Sequence, residues 1–144
     1  MEIKAIDNLL IDINSYRDSR GILSIARTKG DERIPFEVGR VFWITHVPTE
    51  AMRGKHAHKW CCEVVIAVHG GFKVRVSDGA GDTQIYELDS PTQGVLIPPA
   101  VWCELYDFTS DAVCLCLASG DYDKEGYMDE FDDFLSYVNS QKRP

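Results

Sequence analysis

Apolar residues in this chain recur in short runs at close spacing, and that pattern predicts a protein made mainly of strands. The runs cover residues 9–14, 21–27, 40–47, 56–69, 72–77, 84–88, 94–97, 101–108 and 112–119. Many are rich in Val, Ile, Phe, Tyr and Trp, which suit a pleated, half-buried surface. Phe72-Lys73-Val74-Arg75-Val76 alternates without a break and predicts Lys73 and Arg75 facing water. Turn signals punctuate the runs at Asp18-Ser19-Arg20-Gly21, His69-Gly70-Gly71, Ser77 to Asp82, Ser90-Pro91 and Pro98-Pro99. Only the C-terminus reads as a helix. Tyr127, Phe131, Phe134, Leu135 and Val138 fall on one helical stripe, with Asp129, Glu130, Asp132 and Asp133 on the solvated faces. Strands this short and this many predict a closed antiparallel barrel or jelly roll, which leaves no exposed sheet edge. Inward-facing residues of such a barrel share one cavity. No repeat or linker interrupts the pattern, so residues 1–144 are expected to form one domain.

Composition narrows the partners. Hydrophobic residues make up 44% and charged residues 26%, an ordinary soluble profile. The net charge of −8 argues against a nucleic-acid or anionic-membrane binder. A local basic pocket for a small anion is still open to such a chain, with Arg20, Arg40, Arg53, Lys55 and Lys59 as candidate linings. Cys61, Cys62, Cys103, Cys114 and Cys116 are odd in number, and most lie inside apolar runs. That predicts reduced, buried thiols in a cytoplasmic protein rather than a disulfide framework. Neither a signal peptide nor a membrane span is expected.

The candidate chemistry centres on His56 and His58 in Arg53-Gly54-Lys55-His56-Ala57-His58-Lys59. Residues two apart on a strand point to the same face, so both imidazoles are expected in the barrel interior. Imidazole titrates near neutrality and is also the commonest metal ligand. The pair alone therefore fits either a metal site or metal-free acid–base catalysis.

Glu63 follows His58 after four residues and Gly70 follows Glu63 after six, a spacing that resembles the first motif of the cupin superfamily. Pro98-Pro99-Ala100-Val101-Trp102-Cys103 stands where the second cupin motif carries Gly and His, here Ala100 and Cys103. The resemblance implies an all-β cupin jelly-roll barrel, here with a short C-terminal helix. Arg53-Gly54 with His56-Ala57-His58-Lys59, the Pro-Ala-Val-Trp segment, residues 107–111 and Leu117-Ala118-Ser119-Gly120-Asp121-Tyr122-Asp123 resemble one cupin subfamily more closely. That subfamily is the WxcM-like or FdtA-like nucleotide-sugar 3,4-ketoisomerases, and the similarity spans roughly residues 12 to 138.

The resemblance implies a cytoplasmic homodimer without metal or other cofactor. It implies a dTDP-4-keto-6-deoxyhexose substrate whose carbonyl moves from C4 to C3 through an enediol. The product would feed deoxyaminosugar synthesis for surface polysaccharide such as the O-antigen of lipopolysaccharide. His58 is assigned the carbon-bound proton and His56 the oxygen-side shuttle. Arg20, Arg53, Lys59, Glu63, Trp102 and Cys103 are assigned to substrate binding. The arginines are candidates for the pyrophosphate or the developing oxyanion, although each equally suits a surface ion pair. Cys103 replaces a frequent His and is expected to shape the pocket, and Phe42 stands where relatives often have Tyr. Two other classes fit the same residues. One is a metal-dependent cupin using His56, His58, Glu63 and Cys103, and the other is a non-catalytic nucleotide-sugar-binding cupin.

Overall fold

In the computed structural model, residues 6–141 are described, and the predicted alternation becomes a two-sheet barrel closed on one side by a helix. The strands are β1 (Leu10–Asp12), β2 (Asn14–Asp18), β3 (Gly21–Ile25), β4 (Arg40–Thr45), β5 (Arg53–His58), β6 (Glu63–His69), β7 (Phe72–Ser77), β8 (Thr83–Leu88), β9 (Gln93–Ile97), β10 (Trp102–Tyr106), β11 (Val113–Ala118) and β12 (Tyr127–Met128). Helix α1 spans Phe131–Gln141. One sheet has the order β1-β9-β6-β11-β4, and the other β12-β5-β10-β7-β8. A separate hairpin joins β2 to β3. All the pairings are antiparallel. This is the expected all-β jelly roll.

The inner faces of the sheets interdigitate to form the core, with Val65, Ala67, Phe72, Val74, Val76, Val95, Ile97 and Phe108 fully or almost fully buried. β7 buries alternate residues, as its sequence requires. β6 instead is buried on both faces over Glu63–Ala67, because Val64 and Ile66 face a second cluster with Ile34, Leu96 and Leu117 on the outside of the sheet. A strand covered on both faces reads as a continuous apolar run rather than an alternating one.

Two sequence expectations are corrected here. The run 56–69 is not one strand. It divides at residues 59–62, where the chain leaves β5 in one sheet and enters β6 in the other. The Cys62 amide donates to Ser119 Oγ and the Lys59 amide to the Gly126 carbonyl, so both sides of the break are tied down. Tyr127 likewise does not belong to α1. It lies in β12, opposite His58, and the helix begins only at Phe131. The buried face of α1 is Phe134 and Val138, packed over Ala57, Trp102 and Met128 on the outer side of β5 and β10.

Two backbone positions set the phase of β5. Gly54 has φ +77, and a Cβ there would lie 2.9 Å from the Cys103 carbonyl oxygen, so only glycine fits. Lys55 also has positive φ, and the β5–β10 register shifts alongside it, which re-aims the strand so that His56 and His58 face inward. On the facing turn, Ala100 holds φ 61 while its amide donates to the His58 carbonyl at 2.7 Å. The left-handed conformation costs an L-residue about 1–2 kcal/mol, against about 0.5–1 kcal/mol for the extra freedom of glycine in the unfolded chain. Ala100→Gly is therefore expected to stabilise the protein by about 0.5–1 kcal/mol, read as a higher urea midpoint with an unchanged slope.

Candidate active site

Alternation on β5 sends both imidazoles into the barrel while Ala57 packs outward under α1. The His56 and His58 rings meet edge to face with centroids 4.8 Å apart. Tyr127 leans over both, 5.0 Å from His56 and 4.5 Å from His58. Glu63, the first residue of β6, reaches across from the other sheet, and its Oε1 lies 3.1 Å from His58 Nε2. His58 and Glu63 are only 3% and 5% exposed, so water does not screen this bond. With Glu63 ionised, Nε2 is the protonated nitrogen and donates to it, which leaves the lone pair on Nδ1. That is the state a general base needs. Cys103 on β10 pairs in register with His56 and closes the same cavity.

The electrostatics favour neutral groups. Burial, and then the charge of His58, hold His56 below the usual imidazole value, although Glu63 and Asp129 oppose this. His56 is thus unprotonated at neutral pH, able to take a proton and return it. Burial pushes the Cys103 thiol well above its ordinary value, and the nearby Glu63 charge adds to this. Cys116, on the same wall, is raised as well, by its contact with Cys114 and by burial. These thiols stay protonated and line the smaller cavity. Burial also raises Tyr127, which stays a neutral phenol.

The depressed His56 pKa couples to stability. The unfolded chain takes this proton first, near pH 6.5, so the stability contributed by neutral His56 is complete above that pH and lost as pH falls through the lower folded value. Urea midpoints between pH 7.5 and 5 are expected to fall more steeply for the wild type than for His56→Gln.

Two openings meet at Tyr127. A cavity of about 370 Å³ is lined by Arg40, His58, Trp60, Cys61, Tyr122 and Tyr127 among others. A smaller one of about 140 Å³ takes in Phe42, Arg53, His56, Glu63, Cys103 and Tyr127. The structure thus brings His56, His58, Glu63, Cys103 and Arg53 together.

Arg20, Lys59 and Trp102 lie away from the pair in this chain. Arg20 sits on the β2–β3 turn, exposed and paired with Asp18 at 2.6 Å. Lys59 points toward α1, with Nζ 5.6 Å from the Tyr137 ring centroid. Trp102 precedes Cys103 and so faces the opposite side of β10, where it packs on Phe131 and Phe134 and donates to Glu104. Its role there is to seat the helix rather than to stack on a ligand in the barrel. Tyr127 was hidden in the sequence by its helical spacing to Phe131. Gly126 before it and the acidic Asp129-Glu130 pair after it were the available signals that the helix starts later.

An inward histidine pair with a buried carboxylate behind it, held inside a two-sheet antiparallel barrel, is the arrangement of a cupin-like fold. The family described as FdtA: WxcM-like, C-terminal matches residues 6–139, and this chain belongs to it. A TDP-4-oxo-6-deoxy-alpha-D-glucose-3,4-oxoisomerase from Aneurinibacillus thermoaerophilus is 38% identical over 133 residues, 92% of this chain and 94% of that protein. The 3,4-ketoisomerase QdtA from Thermoanaerobacterium thermosaccharolyticum, solved as a His-to-Asn mutant in complex with TDP-4-keto-6-deoxyglucose, superposes with a TM-score of 0.86 at 34% identity, covering 94% of this chain and 96% of that one. A 3,4-ketoisomerase from Helicobacter canadensis gives 0.84 at 31% identity, over 90% of this chain and 96% of that one.

Proposed function

We propose that this protein is a sugar 3,4-ketoisomerase that converts TDP-4-keto-6-deoxyglucose to the TDP-3-keto-6-deoxyhexose. The observation that carries the reading is the buried His58–Glu63 bond with His56 beside it. The hydrogen at C3 is acidic because it neighbours the C4 carbonyl. His58 Nδ1 takes that proton, the C–H electrons form the C3–C4 double bond, and the carbonyl electrons move onto the C4 oxygen. His56, neutral at working pH, takes the proton from the C3 hydroxyl and passes it to the C4 oxygen. Return of the first proton to C4 then forms the C3 carbonyl, so substrate and product are isomers. Each step is a proton transfer between an imidazole and the sugar, the work for which imidazole is the commonest side chain. Glu63 holds the tautomer and offsets the imidazolium charge. Arg53 at the mouth of the smaller cavity suits the pyrophosphate.

The test is proton NMR of TDP-4-keto-6-deoxyglucose mixed with chelator-treated protein. The 3-keto isomer is expected, with the C4 coupling reporting the configuration, and an unchanged spectrum with folded protein overturns the reading. One observation favours a second reading. The ligand atoms of His56, His58 and Glu63 lie within 4.8 Å of one another and can hold a divalent cation. Loss of turnover after chelation, restored by one metal, would select it.

We also propose a cytoplasmic homodimer that supplies deoxyaminosugar synthesis for surface polysaccharide. All five cysteines are free thiols, as a reducing compartment maintains them. Among the described residues no helix is long and apolar enough to cross a membrane. Edge strand β4 exposes Val41 and Trp43 (67% exposed), and the β2–β3 hairpin exposes Tyr16 and Leu23, an apolar surface suited to a second copy. Sedimentation at micromolar concentration is expected to show a dimer, and a monomer would remove that part.

A further inference from the structure

We infer that Arg40 is a further catalytic residue, the donor that holds the negative charge developing on the substrate's C4 oxygen, with Tyr127 positioning it. This rests on the ketoisomerase reading above. Arg40 opens β4 and points inward. Its guanidinium lies over the Phe42 ring, 4.8 Å from the centroid, which fixes the plane of the fork. It lines the larger cavity beside His58 and Tyr127. Its Nε is buried and has no hydrogen-bond partner. Among the described residues it makes no ion pair. Buried donors are nearly always satisfied, and an unneutralised cation in a cavity calls for an anion. Here that donor lines the same cavity wall as the general base.

The reaction creates such an anion. When the C3 proton moves to His58, the electron pair ends on the C4 oxygen, two bonds from the carbon that loses the proton. A cation that neighbours His58 across Tyr127 is placed for that oxygen, whereas the exposed Arg53 sits at the rim. Tyr127 lines the same cavity as Arg40, whose positive charge opposes the rise that burial gives the phenol, and burial keeps the hydroxyl protonated. It is therefore a neutral partner that orients the guanidinium without cancelling its charge. Preorganised donors of this kind act where the charge forms and need no rearrangement during the step.

The test is a set of variants, Arg40→Gln, Arg40→Lys and Tyr127→Phe, measured for kcat, KM, C3 proton exchange into deuterated water and calorimetric TDP affinity. Arg40→Gln is expected to lower kcat and C3 exchange together by about 10²–10³-fold, the usual loss for one oxyanion donor, while TDP affinity stays within a few-fold. Retained TDP binding also shows that the variant is folded. Arg40→Lys is expected to recover part of the rate, and Tyr127→Phe to lose about tenfold through kcat, consistent with a weakened rather than deleted donor. Unchanged kcat in Arg40→Gln overturns the inference. So does a fall in TDP affinity with kcat preserved, which would assign Arg40 to the pyrophosphate. A wild-type protein that leaves the sugar unchanged overturns the functional reading itself, and this inference with it.

Discussion

His58→Asn is expected to abolish nearly all turnover, by about 10²–10⁴-fold, the range for a lost general acid–base group, while leaving the barrel folded. Asparagine is shorter and its amide overlies the Nδ1 side of the ring, so the 3.1 Å bond that Nε2 makes to Glu63 is lost at a cost of about 1–3 kcal/mol, which lowers the melting temperature without unfolding the barrel. What it lacks is a basic ring nitrogen that can take a proton. The loss is therefore expected in kcat, with C3 proton exchange into deuterated water lost to the same extent, because removal of that proton is the step proposed for His58. NMR of the sugar and a thermal melt of the same sample check both halves. Near-normal turnover would remove His58 from the mechanism, and loss of isomerisation with C3 exchange preserved would assign the C3 proton to another base.

Glu63→Gln is expected to cost at least about 10²-fold in turnover with little or no loss of stability. The carboxylate accepts from His58 Nε2 and so leaves the lone pair on Nδ1. An amide can turn its NH₂ toward the ring instead, which stabilises the opposite tautomer and places the proton on the catalytic nitrogen. The negative charge that favours imidazolium is lost as well. Stability follows a different rule. Glu63 is only 5% exposed, and a buried charge carries a desolvation penalty that the neutral amide avoids. Turnover is therefore expected to fall while the urea midpoint holds or rises. A parallel collapse of both would make Glu63 a structural residue, and unchanged turnover would show that the tautomer does not depend on it.

Much of this was legible in the chain before folding. Phe72–Ser77 alternates because successive side chains on a strand face opposite sides, and it was found where expected. The same rule placed His56 and His58 on one face. It had less purchase on β6, whose double-sided burial erases the alternation, so the run 56–69 concealed a crossing between sheets. Periodicity misled at Tyr127, since spacing of four from Phe131 satisfies a helical stripe whether or not the helix extends that far. The family resemblance assigns both Trp102 and Cys103 to substrate binding, yet adjacent residues of one strand cannot share a face, and only the placement of α1 decides which one is inside.

The sequence by itself therefore determined the strand content, the inward histidine pair and the motif that carries the family resemblance, because these depend on residue spacing and on the local geometry of an extended chain. The tertiary structure decided which distant residues complete the site. Glu63 arrives from the opposite sheet, Arg40 from an edge strand and Tyr127 from a short strand paired with β5. Glu63 stood out by motif and Arg40 by charge, but where they meet depends on long-range strand pairing, whose register is set by the packing of whole sheets rather than by local spacing.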